Sequence, residues 1–270
     1  MNLNNLQYFQ DLAKKYRLQI IEKMSKVSAG HPGSILSMLD IVNALYNGGY
    51  VRINDNNELV DKVIISKGHA ASALYPILVD LGILKKEEWD KWGNEKSLLR
   101  VFSNISIPGI DATSGSLGHG LGIAAGYAFS FKKRNIDNQV YVILSEGELY
   151  EGSIWESLLF INNYDLNNIK IIIDRNNLII LGNTEDCLKL NPIIDKISSF
   201  GFDCQEIDGH DYNDIFNSFE SLFKKNTKSC IIANTIKGKG VKYFENKAEW
   251  HYWQNSITKE KIQEIIEELK

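Results

Sequence analysis

Residues 140–152 read Val-Tyr-Val-Ile-Leu-Ser-Glu-Gly-Glu-Leu-Tyr-Glu-Gly, and this stretch decides the fold class. Its first five residues form an almost continuous apolar run rich in β-branched side chains, which is typical of a strand covered on both faces. A polar, glycine-containing loop follows at once, and a helical pattern then covers Ser153–Asn162. The order of strand, loop and helix is the repeating unit of α/β proteins.

The same unit recurs along the chain. Short apolar runs at 63–65, 169–173 and 229–233 predict further buried strands. Helical patterns are predicted over the first 28 residues, after Ser34, and over 70–81, 117–132, 212–223 and 257–269. We therefore expect a doubly wound α/β fold with a mainly parallel sheet and helices on both faces, formed by residues 1–270 as a single domain.

Composition excludes several classes of protein. The 270 residues are 44% hydrophobic and 24% charged, with a formal net charge of −4, which is ordinary for a globular chain. No basic block suggests a nucleic-acid partner, and no apolar stretch is long enough to predict a membrane span. The first residues lack the pattern of a signal peptide. The odd number of cysteines, three, argues against a disulfide framework and fits a reducing compartment. We expect a cytoplasmic protein.

Polar side chains stand where predicted strands end. Glu146 follows the run at 140–144, and Asn176 follows the run at 169–173. Because parallel strands end at one edge of a sheet, the two should be neighbours. Their oxygens suit a hard cation, Mg²⁺ or alternatively Ca²⁺ or Mn²⁺, and Mg²⁺ usually adds waters and substrate phosphates to such a pair. Alternatively, these polar residues belong to ordinary turns, because strands usually end in turn residues.

The segment Thr113-Ser-Gly-Ser-Leu-Gly-His-Gly120 opens a predicted helix. Glycines there would let backbone amides approach a phosphate at the helix N-terminus, although close helix packing explains glycines equally well. The five histidines lie in loop-like contexts without the spacing of a zinc site.

Together these motifs resemble those of transketolases, and the resemblance spans roughly residues 8–255. The matching segments occur in the family's order: Ser28-Ala-Gly-His-Pro-Gly33, Ser66-Lys-Gly-His-Ala70, Pro108-Gly-Ile-Asp-Ala-Thr-Ser-Gly-Ser-Leu-Gly118, Glu146-Gly-Glu-x-x-Glu-Gly152, Asp174-x-Asn-Asn177, Asp208-Gly-His-Asp211, Lys237-Gly-Lys-Gly240 and Trp250-His251. The chain resembles the N-terminal half of a split transketolase. The resemblance implies a partner subunit with the pyrimidine-binding and C-terminal domains, self-association into a heterotetramer, and sugar phosphate substrates.

Site residues are carried over by motif position. The resemblance implies a metal site formed by Glu146, Asn176 and the carbonyl of Leu178. It implies thiamine diphosphate contacts from His69, Gly115, Ser116, Leu117, Gly147, Asn176 and His251. His31 and His251 would face the donor sugar, and Glu151, with Glu156, would link paired active sites across the subunit interface. His119 and His210 are interpreted as structural.

The implied reaction moves a two-carbon ketol unit from a ketose to an aldose, with the cofactor as electron sink. This chain departs from the family in two places. Glu146 stands where an aspartate is usual, and its longer side chain favours weaker metal binding or a shifted loop, although we expect the site still to bind the metal. In the family, a histidine shortly before the Pro-Gly of residues 108–109 contacts the donor sugar, and here Phe102 or Ser103 stands at its place. Because that contact with the donor is missing, we expect the substrate to be an unusual sugar. A catalytically inactive structural or regulatory paralogue, and the α subunit of a 2-oxo acid dehydrogenase, are alternatives.

Overall fold

The computed structural model describes residues 6–270. The predicted first helix is confirmed as α1 (Leu6–Val27). Its predicted portion over residues 1–5, and the interpretation that the N-terminus lacks a signal peptide, lie outside the described residues.

The strands form one main sheet. In chain order the described residues contain β1 (Lys62–Ile65), β2 (Val140–Ser145), β3 (Ile169–Arg175), β4 (Leu178–Ile179), β5 (Gly182–Asn183), β6 (Asp203–Asp208) and β7 (Ser229–Asn234). Five of them pair in the order β1-β2-β3-β7-β6, and every pair in that sheet is parallel. The short strands β4 and β5 form an antiparallel hairpin directly after β3.

Helices cover both faces of the sheet. After α1 they are α2 (Pro32–Asn47), α3 (Tyr75–Asp80), α4 (Lys86–Asp90), α5 (Gly120–Lys133), α6 (Gly152–Asn163), α7 (Thr184–Cys187), α8 (Ile193–Ser198), α9 (Tyr212–Ser218) and α10 (Lys259–Glu268). Alternate residues of each strand point into two separate cores: α1, α2 and α9 contribute to one, and α5, α6 and α8 to the other. The predicted doubly wound α/β fold is confirmed.

Three predicted helices differ from the structure in their bounds, and one strand of the main sheet was not predicted. Strand β6 was not predicted because its sequence, Asp-Cys-Gln-Glu-Ile-Asp, is polar, as suits a partly exposed edge strand. The helix predicted over 70–81 is broken into a 3₁₀ turn (Gly68–Ala73) and α3, with Pro76 in the first turn of α3. The helix predicted from Leu117 begins at Gly120, and the one predicted over 212–223 continues beyond α9 as a π-helix.

Within residues 6–270, no helix has both the length and the apolar character needed to cross a membrane.

Candidate active site

A cavity of about 320 Å³ opens at the carboxyl edge of the sheet. Loops that follow β1, β2, β3 and β7 each supply part of its wall, as expected for a doubly wound fold. The lining consists of His31, Ser34, Lys67, His69, Phe102, Gly115, Leu117, Ser145, Glu146, Gly147, Asn176, Leu178, Ile179, Ile180, Lys237, His251 and Tyr252.

Most residues singled out from the sequence meet at this cavity. Nine of them belong to its lining: His31, His69, Gly115, Leu117, Glu146, Gly147, Asn176, Leu178 and His251. Ser116 and Glu151 do not line it, and both are exposed. Glu156 is exposed on α6 and lines a different hollow, between α5 and α6. His119 and His210 also lie outside the lining.

Glu146 contributes a buried carboxylate whose hydrogen bonding is incomplete. Its Oε1 has no hydrogen-bond partner among the described residues, while its Oε2 accepts from Thr184 Oγ1 at 3.4 Å and lies 4.0 Å from Arg175 Nε. Burial, with the nearby charge of Asp174, raises the pKa of Glu146 to about 7. A buried carboxylate oxygen without a partner is costly, and a bound cation would satisfy it.

Asn176 and Leu178 place two further oxygens beside this carboxylate. Asn176 Oδ1 accepts a hydrogen bond from the Leu178 N–H at 3.2 Å, and the intervening Asn177 has a left-handed φ of 60°. The Leu178 carbonyl accepts from Lys237 Nζ at 3.4 Å. Carboxylate, amide and carbonyl oxygens are the donor set of a hard divalent cation, so the chemistry of these residues fits one.

The glycine-rich segment before α5 is fixed by the buried carboxylate of Glu148. Its Oε1 accepts from the Gly118 N–H at 3.0 Å and its Oε2 accepts from the Ser145 N–H at 2.9 Å, so it ties this segment to the end of β2. Gly118 has a φ of 86° and a Cβ there would lie 2.6 Å from Glu151 Cβ, so a side chain is excluded. The segment is thereby held in place just before the N-terminus of α5, and two of its residues, Gly115 and Leu117, line the cavity.

Three histidines form a cluster at the mouth of the cavity. The ring centroids of His31 and His69 are 4.9 Å apart, and His251 lies 5.5 Å from His31 and 5.6 Å from His69. Burial, with the charge of Lys237, lowers the pKa of His31 and of His251 to about 4, and burial lowers that of His69 as well. The cluster is thus neutral near pH 7, and His31 Nδ1 has no partner within residues 6–270.

Two buried lysines in the lining were not assigned a role from the sequence. Lys67 forms a fully buried ion pair with Asp174 and donates to the Ser34 carbonyl at 2.8 Å. Lys237 Nζ lies 3.3 Å from His251 Nδ1, and burial, with the charge of Lys67, lowers its pKa to about 8. Their position, in Lys-Gly motifs that directly follow predicted strands, was the available signal. Because Asp174 balances the charge of Lys67, Lys237 is the lining lysine whose charge favours an anionic ligand.

Aromatic side chains form the outer rim. The Tyr252 ring lies 4.8 Å from His31 and 4.7 Å from His251, and the Phe102 ring lies 5.7 Å from His31. Ser103 turns away, because its Oγ accepts a hydrogen bond from the Ser114 N–H at 2.9 Å. Of the two residues that could replace the expected histidine, Phe102 is therefore the one at the cavity. Sequence reasoning did not single out Tyr252.

Comparison with known proteins identifies the family that this fold and cavity define. Residues 9–269 match the family described as transketolase, thiamine diphosphate binding domain. The chain belongs to this family. The predicted resemblance and the predicted class of enzyme, a transketolase subunit, are confirmed, and the family matched is not that of the 2-oxo acid dehydrogenases.

Individual relatives fall into two length classes. One subunit of the apulose-4-phosphate transketolase of Phocaeicola vulgatus is 37% identical over 95% of this chain and 92% of the relative. The 6-deoxy-6-sulfo-D-fructose transketolase subunit SqwG of Clostridium sp. (strain MSTE9) is 33% identical over 97% and 96%. The transketolase structure from Campylobacter jejuni superposes with a TM-score of 0.88 at 28% identity, covering 98% of this chain but only 43% of that one.

Proposed function

We propose that this chain is the thiamine diphosphate- and magnesium-binding subunit of a cytoplasmic, two-chain transketolase, and that residues 1–270 act as a single diphosphate-binding domain. The enzyme would transfer a two-carbon ketol unit from a ketose phosphate to an aldose. The observation that carries the proposal is the cavity itself, where the incompletely bonded Glu146 carboxylate lies near Lys237 and a neutral histidine cluster. Each group suits one part of a metal–diphosphate cofactor and its sugar substrate.

The cofactor residues divide by chemistry. Glu146, Asn176 and the Leu178 carbonyl would hold the metal, which Mn²⁺ or Ca²⁺ could also supply. The backbone of the segment Gly115–Leu117, which includes Ser116, and that of Gly147 would receive the diphosphate, together with His69. Lys237 would balance its negative charge. Thiamine diphosphate supplies an electron sink for cleavage and formation of the carbon–carbon bond next to a carbonyl.

His31 and His251 would act on the donor sugar. Burial keeps both rings neutral near pH 7, so each ring has one donor and one acceptor nitrogen. Lys237 occupies the acceptor Nδ1 of His251, so His251 would donate its Nε2–H to a sugar hydroxyl, whereas His31 can also accept a proton. The free Nδ1 of His31 is the group best suited to accept one. Lys237 lies 3.3 Å from His251 Nδ1, and its charge disfavours protonation of that ring.

A partner subunit would complete the site. The apolar residues around the cavity mouth are well exposed, and Leu181, at the tip of the β4–β5 hairpin, is 80% exposed. Ile180 and Ile105 add to this apolar rim at 53% and 61% exposure. Exposed apolar side chains beside a cavity favour burial against another chain, here a C-terminal subunit with pyrimidine-binding and C-terminal domains. The names of the two shorter relatives, each called a subunit, are consistent with this.

Self-association would use the outer face of α5 and α6. Gly122 and Gly126 are exposed on α5, and a Cβ built on Gly126 meets nothing within 4 Å. Leu159 and Phe160 of α6 are 60% and 38% exposed beside them. We infer that a second copy packs here, with Glu151 and Glu156 near the contact. Gly126→Leu should then lower the mass of the complex measured by light scattering, whereas an unchanged mass would refute this surface.

The donor sugar would differ from an ordinary pentose phosphate. Phe102 cannot donate the hydrogen bond that a histidine would offer to a donor hydroxyl, and Tyr252 narrows the space beside His31. The two shorter relatives are named for apulose-4-phosphate and 6-deoxy-6-sulfo-D-fructose. We expect low turnover of xylulose 5-phosphate by the reconstituted pair, and a gain for Phe102→His. Turnover as efficient as that of a housekeeping transketolase would contradict this.

The deciding experiment is calorimetric titration of the chain, co-purified with its partner, with thiamine diphosphate in Mg²⁺ and then in EDTA. Binding that requires Mg²⁺ supports the proposal. An intact complex that binds no cofactor would instead support the alternative of a catalytically inactive structural or regulatory subunit.

A further inference from the structure

We propose that His210, which lies outside the cavity, is a positioning residue that holds the loop Ile236–Gly240 and so fixes Lys237 in the cofactor site. The inference rests on the proposed function for the role of Lys237, but the loop itself can be tested without cofactor. It also revises the interpretation of His210 as merely structural.

The first observation is the hydrogen bonding of the His210 ring. Its Nε2 accepts the Ile236 N–H at 2.8 Å, and its Nδ1 lies 2.7 Å from Asp40 Oδ2. Since Nε2 accepts, the ring proton of the neutral imidazole must be on Nδ1 and donates to Asp40. Both ring nitrogens are thereby used, and one of them is bonded to the backbone residue just before Lys237.

The second observation is that the other end of the loop depends on the same aspartate. Asp40 is 4% exposed on α2 and accepts from Arg17 Nη2 at 2.6 Å. Arg17 Nε donates to the Lys239 carbonyl at 3.0 Å. Gly240 is packed so tightly that a Cβ there would lie 2.6 Å from Arg17 Cδ. Asp40 therefore orients two side chains, and each of them bonds one end of the loop.

The third observation is what this loop carries. Lys237 stands between the two attachment points, and its Nζ reaches His251 Nδ1 at 3.3 Å and the Leu178 carbonyl at 3.4 Å. The neighbouring Gly238 N–H donates to the Gly33 carbonyl at 3.0 Å, two residues after His31. A small displacement of this loop would move a charge within the cavity, where positioning to within about 0.5 Å matters.

The roles of these residues can be separated by a double-mutant cycle. His210→Ala and Lys237→Met, alone and together, would be prepared in the complex with the partner subunit. The affinity for thiamine diphosphate in Mg²⁺ would be measured by calorimetry. We expect His210→Ala to weaken binding by about 10–100-fold, the range of residues that support ligating groups. If His210 acts through Lys237, the double variant should bind no more weakly than Lys237→Met alone.

Two further variants separate positioning from general stability. Asn168→Ala removes hydrogen bonds to the Ala128 and Asn138 carbonyls near the amino edge of the sheet, so it should lower the melting temperature without changing affinity. His210→Gln keeps an acceptor for the Ile236 N–H and should restore part of the affinity lost in His210→Ala. If His210→Ala fails to fold, His210→Gln still allows the effect of this side chain on affinity to be measured.

Hydrogen exchange of the isolated chain gives a readout that needs no cofactor. We expect the amide of Ile236 and the peptide over 235–240 to exchange faster in His210→Ala than in the native chain and in Asn168→Ala. Unchanged exchange over 235–240 in His210→Ala would overturn the inference. It would also be overturned if the loss of affinity in the double variant equals the product of the losses in His210→Ala and Lys237→Met. If the native complex binds no cofactor, the proposed function fails, while the exchange result still decides whether His210 holds the loop.

Discussion

The two edges of the sheet differ in how completely particular buried charges are hydrogen-bonded. Near the amino edge, Lys170 is fully buried, and its Nζ donates to the carbonyls of Lys225 at 2.9 Å and Thr227 at 2.6 Å. Asp61, just before β1, accepts from Arg52 and from the Gln139 N–H. At the carboxyl edge, Glu146 has a buried oxygen without a partner in the described residues.

The comparison teaches that hydrogen-bond partners, and not shifted pKa values, distinguish the buried lysine of the amino edge from that of the cavity. Burial lowers the pKa of Lys170 and of Lys237 to about 8 in each case. Yet two backbone carbonyls bind Lys170 at short distance, whereas Lys237 makes only contacts of 3.3 Å or longer. Buried charged groups are normally satisfied by the fold, and the unpartnered carboxylate oxygen of Glu146 belongs to the lining of the cavity, where a bound cation would satisfy it.

The largest effect is expected for Glu146→Gln, which removes the charge and keeps the shape. Thiamine diphosphate affinity in Mg²⁺ should fall by more than about 100-fold, because groups that merely support a metal ligand are already worth about 10–100-fold. The melting temperature of the cofactor-free chain should be equal or higher, since a buried, incompletely bonded carboxylate is removed. Glu220→Gln, on an exposed ion pair with Lys224, is the matched control. Retained affinity would show that Glu146 is no ligand.

A matched pair of lysine variants tests the comparison directly. Lys170→Met leaves its carbonyl acceptors unpaired, so the free energy of unfolding should fall by about 1–3 kcal/mol while cofactor affinity stays unchanged. Lys237→Met should have the opposite pattern: the affinity for thiamine diphosphate should fall by about 10-fold or more, and the free energy of unfolding should be unchanged or higher. Urea denaturation and calorimetry on both variants give the answer. Equal effects of the two variants on stability would break the distinction between the edges.

Acid should destabilise the carboxyl edge through its neutral histidines. The pKa of His31 falls from its ordinary 6.5 to about 4 on folding, so between these values the unfolded chain binds a proton that the folded chain does not. Stability from this residue is therefore complete above pH 6.5 and declines as the pH falls toward 4. Between pH 7.5 and pH 5, His31→Gln should lose about 1–2 kcal/mol less than the native chain in urea denaturation. Parallel curves would contradict this.

The smallest effect on the chain itself is expected for Leu181→Ser. At 80% exposure this side chain contributes little to folding, so the free energy of unfolding should change by less than about 0.5 kcal/mol. If the rim binds the partner subunit, the same change should weaken assembly measurably by titration of one subunit with the other. If the variant assembles as well as the native chain, the tip of the β4–β5 hairpin does not contact the partner subunit.

The predicted part of the fold follows from local patterns. Continuous β-branched runs identified β1, β2, β3 and β7 to within two residues, because strands buried on both faces leave a plain signal. β6 was missed because its sequence is polar and none of its residues is buried. Glu146 and Asn176 are 30 positions apart in the sequence. They could still be expected to lie together, because both follow predicted strands and parallel strands end at the same edge of a sheet.

The sequence by itself thus determined the class of fold, the edge that carries the cavity and the motifs that mark the family. Only the tertiary structure decided that Phe102 rather than Ser103 faces the cavity, that Tyr252 covers His31, and that His210 supports the loop of Lys237. These contacts join residues far apart in the chain. Periodicity and motif spacing report which element a residue belongs to, but the packing of loops from different strands sets which side chains meet.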